Sequence, residues 1–248
     1  MLDGNLQRWC TRIGYIMNIQ LPREIKGSDA VLVTLLLDDS DSISACRNVS
    51  VVTRGANAFR EQLIRRGGSA MQAFLRVATL NQRDVGRDFV VLSNTEPLEN
   101  DDWFRPGFNT PLFAAARRAL YVSAESARRA RVWYSGDVLS ITVIVTDGAD
   151  NASGDITAQR VCRRVQKMLA TGHHMVVGCG VYDGATDFHA VFRSMGIPDR
   201  MVMVMERTDE DIEEGLTNLG RFAAASTENI GTFTQNLAAG VGSTPSVP

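Results

Sequence analysis

The chain has 248 residues and a mass of 27.1 kDa, long enough for one large domain that buries roughly 70% of its unfolded surface without a stapling disulfide or metal. Twenty-six basic residues against 28 acidic ones leave a formal charge of −2, which argues against a nucleic-acid binder working by bulk electrostatics. A hydrophobic fraction of 44% and a charged fraction of 22% are those of a globular chain, so neither wholesale disorder nor a coiled coil fits. Cys10, Cys46, Cys162 and Cys179 stand far apart with no CxxC pair, and read as reduced thiols. The N-terminus has no basic region followed by an apolar one, and no apolar run reaches the ~18 residues that span a bilayer, so the expected location is the cytoplasm.

In chain order, residues 1–29 carry no sustained period and read as a lead-in packed on the domain that follows. Val31 to Leu37 is an unbroken apolar run of strand length, the pattern of a strand buried on both faces of a parallel sheet, and it ends on Asp38. After the polar stretch DDSDSIS, the residues Val49, Val52, Ala56, Phe59 and Leu63 mark one face of a helix that Gly67 and Gly68 terminate. Ala73 to Leu80 and Asp88 to Leu92 are strand-like and close enough for an antiparallel hairpin. Residues 94–110 form a loop, and Thr110-Pro111 reads as an N-cap with proline at the first helical position, opening a helix to about Arg129. Leu139 to Val145 is a buried strand ending on Asp147, Val161, Val165 and Met168 mark a helix, and Met175 to Val181 and Met201 to Met205 are further strands. Thr208 with Asp211 opens a last helix through Ile212, Leu216, Leu219 and Phe222. Residues 226–248 are an extension, with disorder expected from Ala238 onward.

Strands alternating with helices predict an α/β domain over residues 30–225, Rossmann-like and doubly wound, with a mostly parallel central sheet, one antiparallel edge strand and helices on both faces. Right-handed crossovers then bring the strand-to-helix loops to one edge. Three of those loops hold oxygen donors: Asp38, Ser40 and Ser42 after the first strand, Thr110 before the long helix, and Asp147 after the fourth strand. Two carboxylates and three hydroxyls are hard donors that suit an octahedral Mg²⁺, with Mn²⁺ and Ca²⁺ as alternatives; zinc would call for His or Cys.

The pattern Asp38-x-Ser40-x-Ser42, then Thr110, then Asp147 resembles the metal-ion-dependent adhesion site of the von Willebrand factor A domains, and LLLDDSDSI, NTPLFAAARRAL and VTDGADN resemble that family's flanking segments. The likeness covers residues 30–225 and is nearest to the stand-alone intracellular members. It implies Mg²⁺ held directly by Ser40 and Ser42, directly or through water by Thr110, and largely through waters by Asp38 and Asp147. Neutral hydroxyls leave such a cation under-neutralised, so an Asp or Glu of a partner protein can complete its shell: a clamp for protein assembly, with no catalysis, no nucleic acid and no membrane. By analogy alone, such domains act beside ATPases or in multi-protein complexes. The position usually held by Gly is Asp41 here, and Asp39, Glu99, Asp101 and Asp102 add further charge, which favours metal and disfavours an acidic partner.

Two alternatives stand beside this reading. Asp39 and Asp41 resemble the nucleophile and general acid of haloacid-dehalogenase-type Mg²⁺ phosphatases, though Lys167 lies inside a helix where a strand-end lysine is required. Alternatively, the scaffold acts independently of its metal, through the arginines at 117, 118, 128, 129 and 131 or through its tail. Those arginines read foremost as a solvated face, His173, His174 and His189 as surface or satisfied core residues, and the acids at 209–214 as a complement to a helix dipole.

Overall fold

The computed structural model describes residues 29–45, 49–66, 71–81, 88–99, 109–132 and 135–241. Six strands form one sheet: β1 (Asp29–Leu37), β2 (Met71–Thr79), β3 (Val90–Val91), β4 (Val138–Thr146), β5 (His174–Val181) and β6 (Val202–Met205), in the spatial order β3-β2-β1-β4-β5-β6. All neighbours are parallel except β2 and β3, which pair antiparallel through Phe74 with Val91 and Leu75 with Val90. The doubly wound sheet and its antiparallel edge strand are therefore as the sequence predicts. Every residue of β4 and β5 is buried, which is why these strands read as apolar runs rather than alternations.

Seven helices accompany the sheet among the described residues: α1 (Asp41–Ala45), α2 (Val49–Arg66), α3 (Leu112–Ala130), α4 (Ala158–Leu169), α5 (Phe188–Ser194), α6 (Asp209–Ala225) and α7 (Ile230–Ala239). The expected stop of α2 at Gly67 and Gly68 lies outside the described residues, as does the lead-in up to residue 28. The chain runs from β1 through α2 to β2 on one side and then through α3 to β4 on the other, so right-handed crossovers put α2 on one face and α3, α4 and α5 on the opposite face. The final long helix, α6, returns to pack on α2. Contact there is backbone-close, since a Cβ on Gly220 would stand 2.8 Å from both Cα and O of Phe59.

Three short elements escaped the periodicity. α1 and α5 hold only 5 and 7 residues, too few to repeat an apolar stripe, and α7 buries just Phe233. α7 lies in the C-terminal extension: Ala238 and Ala239 end this helix, and Val241 N–H donates to Arg200 O at 2.8 Å. No described helix is long and apolar enough to cross a membrane.

Several polar groups inside the layers pair with one another. Ser123 of α3 meets Thr34 of β1 at 3.0 Å and Thr142 of β4 at 3.1 Å, and His174 Nδ1 meets Ser140 Oγ at 2.5 Å. Burial, with Arg131, His173 and Arg164 adding repulsion, pushes the His174 imidazole down from 6.5 to about 4. The unfolded chain therefore takes up this proton first. The neutral ring's contribution is intact above pH 6.5 and is lost as pH falls towards 4, worth about 2–3 kcal/mol over that window. Denaturant midpoints of wild type and His174→Gln measured against pH should accordingly converge on the acid side, with the wild type losing the greater stability below pH 6.5.

Candidate functional site

At the carboxyl edge the chain leaves β1 towards β2 on one side and enters β4 from the other, so the crevice between the ends of β1 and β4 is the topological switch point of the sheet. Asp38 follows β1 directly and Asp147 follows β4 directly, on neighbouring parallel strands that pair as far as Leu37 with Val145. α1 then turns Ser42 back over Ser40. The hydroxyls of Ser40 and Ser42 stand 2.9 Å apart, and Ser42 Oγ donates to Asp147 Oδ1 at 2.6 Å across 105 positions of sequence. Asp38 accepts from the Ser40 amide at 2.9 Å and from the Thr146 hydroxyl at 2.6 Å. Two carboxylates and two serine hydroxyls thus form one connected network across the two loops.

Thr110 reaches the same place from a third loop. It is 4% exposed, and its Oγ1 lies 3.8 Å from where a Cβ on Gly148 would stand, which sets this hydroxyl beside the residue that follows Asp147. Its backbone is held to the β4 loop in both directions: Thr110 N–H donates to Asn151 Oδ1 at 2.7 Å and Asn151 N–H to Thr110 O at 3.0 Å.

The expected helix cap at Thr110 is not formed. α3 begins at Leu112, with Pro111 as the residue before it, and no side-chain capping bond is made from that position. The first-turn amides are satisfied from outside instead, Phe113 N–H by Asp150 Oδ1 at 3.0 Å and Ala114 N–H by Ser153 Oγ at 2.9 Å. Two donors that a helix start normally leaves unmet are therefore capped in trans, and the Thr110 hydroxyl is spared that task. Sequence reasoning missed Asp150, Asn151 and Ser153 in this role; their only signal was a polar run after a buried strand, with an Asp and a Ser three residues apart.

Asp39, by contrast, is held by Asn81 and not by the hydroxyl network. It is fully buried, and its Oδ1 accepts from both the backbone N–H (3.0 Å) and Nδ2 (2.9 Å) of Asn81, which also donates to Asn109 O at 3.1 Å. Asp39 therefore ties the β1 loop to the end of β2 and to the residue before Thr110. Asp41 is exposed on α1, and Asp101 and Asp102 lie outside the described residues.

Electrostatically the site is one-sided. Asp38 is 1% and Asp147 3% exposed, and among the described residues neither forms an ion pair with Lys, Arg or His. Burial raises the Asp38 carboxyl above its ordinary value, against the hydrogen bonds from Ser40 and Thr146 and with further help from Asp39. Burial, then the charge of Asp38, pushes Asp147 up to about 7, and Asp183 in the next loop adds to this. Two carboxylates held out of water beside each other, with hydroxyls filling the gap, favour an arriving cation. Among the described residues no three His, Cys, Asp or Glu side chains are grouped to hold a metal, so hydroxyl and water oxygens would supply the rest of its shell. That donor chemistry fits Mg²⁺ or Mn²⁺ and does not suit zinc.

No family model and no characterised protein matches the sequence. Solved structures resemble the fold. The pilus adhesin SpaC from Lactobacillus rhamnosus GG, in its open conformation, matches 82% of this chain and 31% of its own, with a TM-score of 0.54 and 12% identity. Proximal thread matrix protein 1 from the mussel byssus matches 81% of this chain and 48% of its own, with a TM-score of 0.50 and 13% identity. The PilB minor pilin from Streptococcus sanguinis matches 81% and 63%, with a TM-score of 0.50 and 9% identity. This chain spans less than two thirds of each of those proteins, and at such identities the likeness is one of fold alone.

Proposed function

We propose that residues 30–225 are a von Willebrand factor A-type domain that binds Mg²⁺ through Ser40, Ser42, Thr110, Asp38 and Asp147 and uses the bound ion to grip a carboxylate of a partner protein. The observation that carries this reading is the convergence of the three loops: Ser40, Ser42 and Asp147 in one hydrogen-bonded chain, with Thr110 held beside Gly148. Bound there, the cation supplies a Lewis-acidic attachment point for an anionic oxygen. The chain's own part is to hold the hydroxyls in place and to keep their carboxylate partners desolvated, with no Lys, Arg or His ion-paired to them among the described residues.

A role in assembly rather than catalysis is supported by Asp39, the residue that a phosphatase of this loop would need as nucleophile. Its Oδ1 is occupied twice by Asn81, and although Oδ2 has no hydrogen-bond partner, at 0% exposure the carboxylate is closed to the approach of a phosphoryl group. The added charge of Asp39 and Asp41 favours metal retention over a strongly acidic partner surface, so a partner offering a single carboxylate within a neutral or mixed surface suits the site best. A cytoplasmic location and association with a larger protein complex complete the proposal.

Calorimetric titration of Mg²⁺ and Mn²⁺ into wild type, Thr110→Ala and Asp39→Asn, with phosphate release from a generic phosphomonoester followed on the same samples, tests both parts. The expected result is metal binding in wild type, binding weakened at least tenfold in Thr110→Ala, retention in folded Asp39→Asn, and no turnover. Phosphate release by wild type that Asp39→Asn abolishes would overturn the assembly role. Equal metal binding in wild type and Thr110→Ala would overturn the assignment of the third loop.

A further inference from the structure

Two helices on opposite faces of the sheet carry opposite charge. α4 holds Arg160, Arg163, Arg164 and Lys167 and no acid, and the spacing of 3, 1 and 3 places all four on one side of the helix. Arg160, Arg163 and Lys167 are exposed, and among the described residues their side chains form no hydrogen bond or ion pair. Arg164, at the inner edge of the stripe, lies 5.3 Å from the centre of the Tyr121 ring, and its buried Nε has no acceptor. The exposed Arg160, Arg163 and Lys167 are therefore the cations this stripe offers to a partner.

α6, on the other face of the sheet, reverses this pattern with Asp209, Glu210, Asp211, Glu213 and Glu214 against Arg221 alone. Acids at the start of a helix are expected from the dipole, yet not all of them are used locally. Arg54 takes Asp209 at 3.3 Å and Glu213 at 3.0 Å, and Asp211 accepts from Glu206 N–H. Glu210 and Glu214, one helical turn apart, stay exposed, form no ion pair among the described residues, and border a shallow groove of about 430 Å³ shared with Glu213, Thr217 and Arg221.

We propose that copies of this chain associate head to tail, the basic side of α4 on one copy seating against Glu210 and Glu214 of α6 on the next. Symmetry selects that arrangement. The two patches lie on opposite faces of the sheet, so one two-fold contact cannot bring basic against acidic in both directions, whereas a heterologous contact repeated from copy to copy satisfies both. Because the patches lie on opposite faces of the sheet, each copy added leaves a fresh basic face at one end and a fresh acidic face at the other, so assembly continues beyond a dimer. The formal charge of −2 imposes little overall repulsion on the stack. The contact is separate from the metal site and does not depend on it.

Sedimentation velocity at protein concentrations on the order of 100 µM, in about 20 mM and about 500 mM salt, tests the proposal together with neutralised variants. Arg160→Gln/Arg163→Gln/Lys167→Gln removes the basic patch and Glu210→Gln/Glu214→Gln the acidic one, all at exposed positions. Wild type should form species larger than a dimer at low salt, with association at least tenfold weaker at high salt. Each variant alone should be monomeric, and a mixture of the two should form a complex that stops at one copy of each, because only one complementary pair of patches remains. That restored complex also shows that both variants are folded. A monomeric wild type at low salt would overturn the proposal, as would a variant that still self-associates or a mixture that stays monomeric.

Discussion

Replacing Asp147 by Asn should make the metal-free protein more stable and remove its response to Mg²⁺. In the folded chain, burial and the neighbouring Asp38 raise the Asp147 carboxyl from 3.8 to about 7, so its charged form is disfavoured by folding. The sign follows from proton linkage: between pH 3.8 and 7 the native state holds the extra proton, and stability falls as pH rises through that range. Above about pH 7 the full cost is present, with an upper bound of about 4 kcal/mol, and the Asn amide, which can still accept from Ser42, avoids it. A gain of about 2–4 kcal/mol corresponds to a rise of roughly 5–10 °C in Tm for a domain of this size. The gain should shrink to nothing near pH 4. In wild type at pH 8, saturating Mg²⁺ should recover a comparable amount through linkage, while the variant should gain little from it. Thermal melts of both proteins with chelator and with Mg²⁺ measure all four corners; a variant less stable than wild type at pH 8 in chelator would contradict the desolvation argument. The opposite sign of His174 in an overlapping pH range is why its effect must be read as a difference between two proteins.

The second large effect belongs to β5, where two glycines leave room for an aromatic pair. A Cβ on Gly178 would stand 2.5 Å from the Phe192 ring, and one on Gly180 would collide with Phe188 in the same way. The two rings stack with centroids 6.4 Å apart and bury α5 directly on the strand. Gly178→Ala should therefore cost about 2–3 kcal/mol, since the displaced ring belongs to a fully buried residue with nowhere to turn. Phe192→Ala should cost about 3–5 kcal/mol by the reverse route, leaving a cavity. The double variant Gly178→Ala/Phe192→Leu should recover part of the first loss, because removed ring volume accommodates the added methyl. Urea unfolding of the three variants checks this, and strictly additive losses would show that the two positions do not share the space. The strand–helix contact also bears on the site, because Asp183, which adds to the raised carboxyl of Asp147, sits in the loop that joins β5 to α5.

Much of this was legible in the sequence because the strongest signals were also the most local. Val31 to Leu37 and Leu139 to Val145 could hardly be other than doubly covered strands, and their acidic ends announced the loops that matter. The candidate residues were found as a pattern of types and spacings, and the fold brings Asp38, Ser40, Ser42, Thr110 and Asp147 to one edge. What could not be read was how the loops are held to one another. Thr110 before Pro111 satisfies the local rule for a helix cap, yet Asp150 and Ser153, about forty residues away, cap α3 instead. Asp39 read as added charge beside the site or as a nucleophile because alternation along a loop does not fix direction; only the partner Asn81, supplied by the end of β2, shows how it is held. α7 was missed for a related reason, since burying Phe233 alone leaves no stripe in the sequence to detect.

The central claim is that three loops hold one divalent cation through serine and threonine hydroxyls. Anomalous scattering from crystals of the full chain grown with Mn²⁺ tests it most directly. The account predicts a single strong peak bounded by Ser40 Oγ, Ser42 Oγ and Thr110 Oγ1, with the Ser42–Asp147 hydrogen bond kept and the carboxylates of Asp38 and Asp147 within reach of its waters. A peak on Asp39 and Asp41 instead, or no peak in a protein that calorimetry finds to bind Mn²⁺, would contradict it.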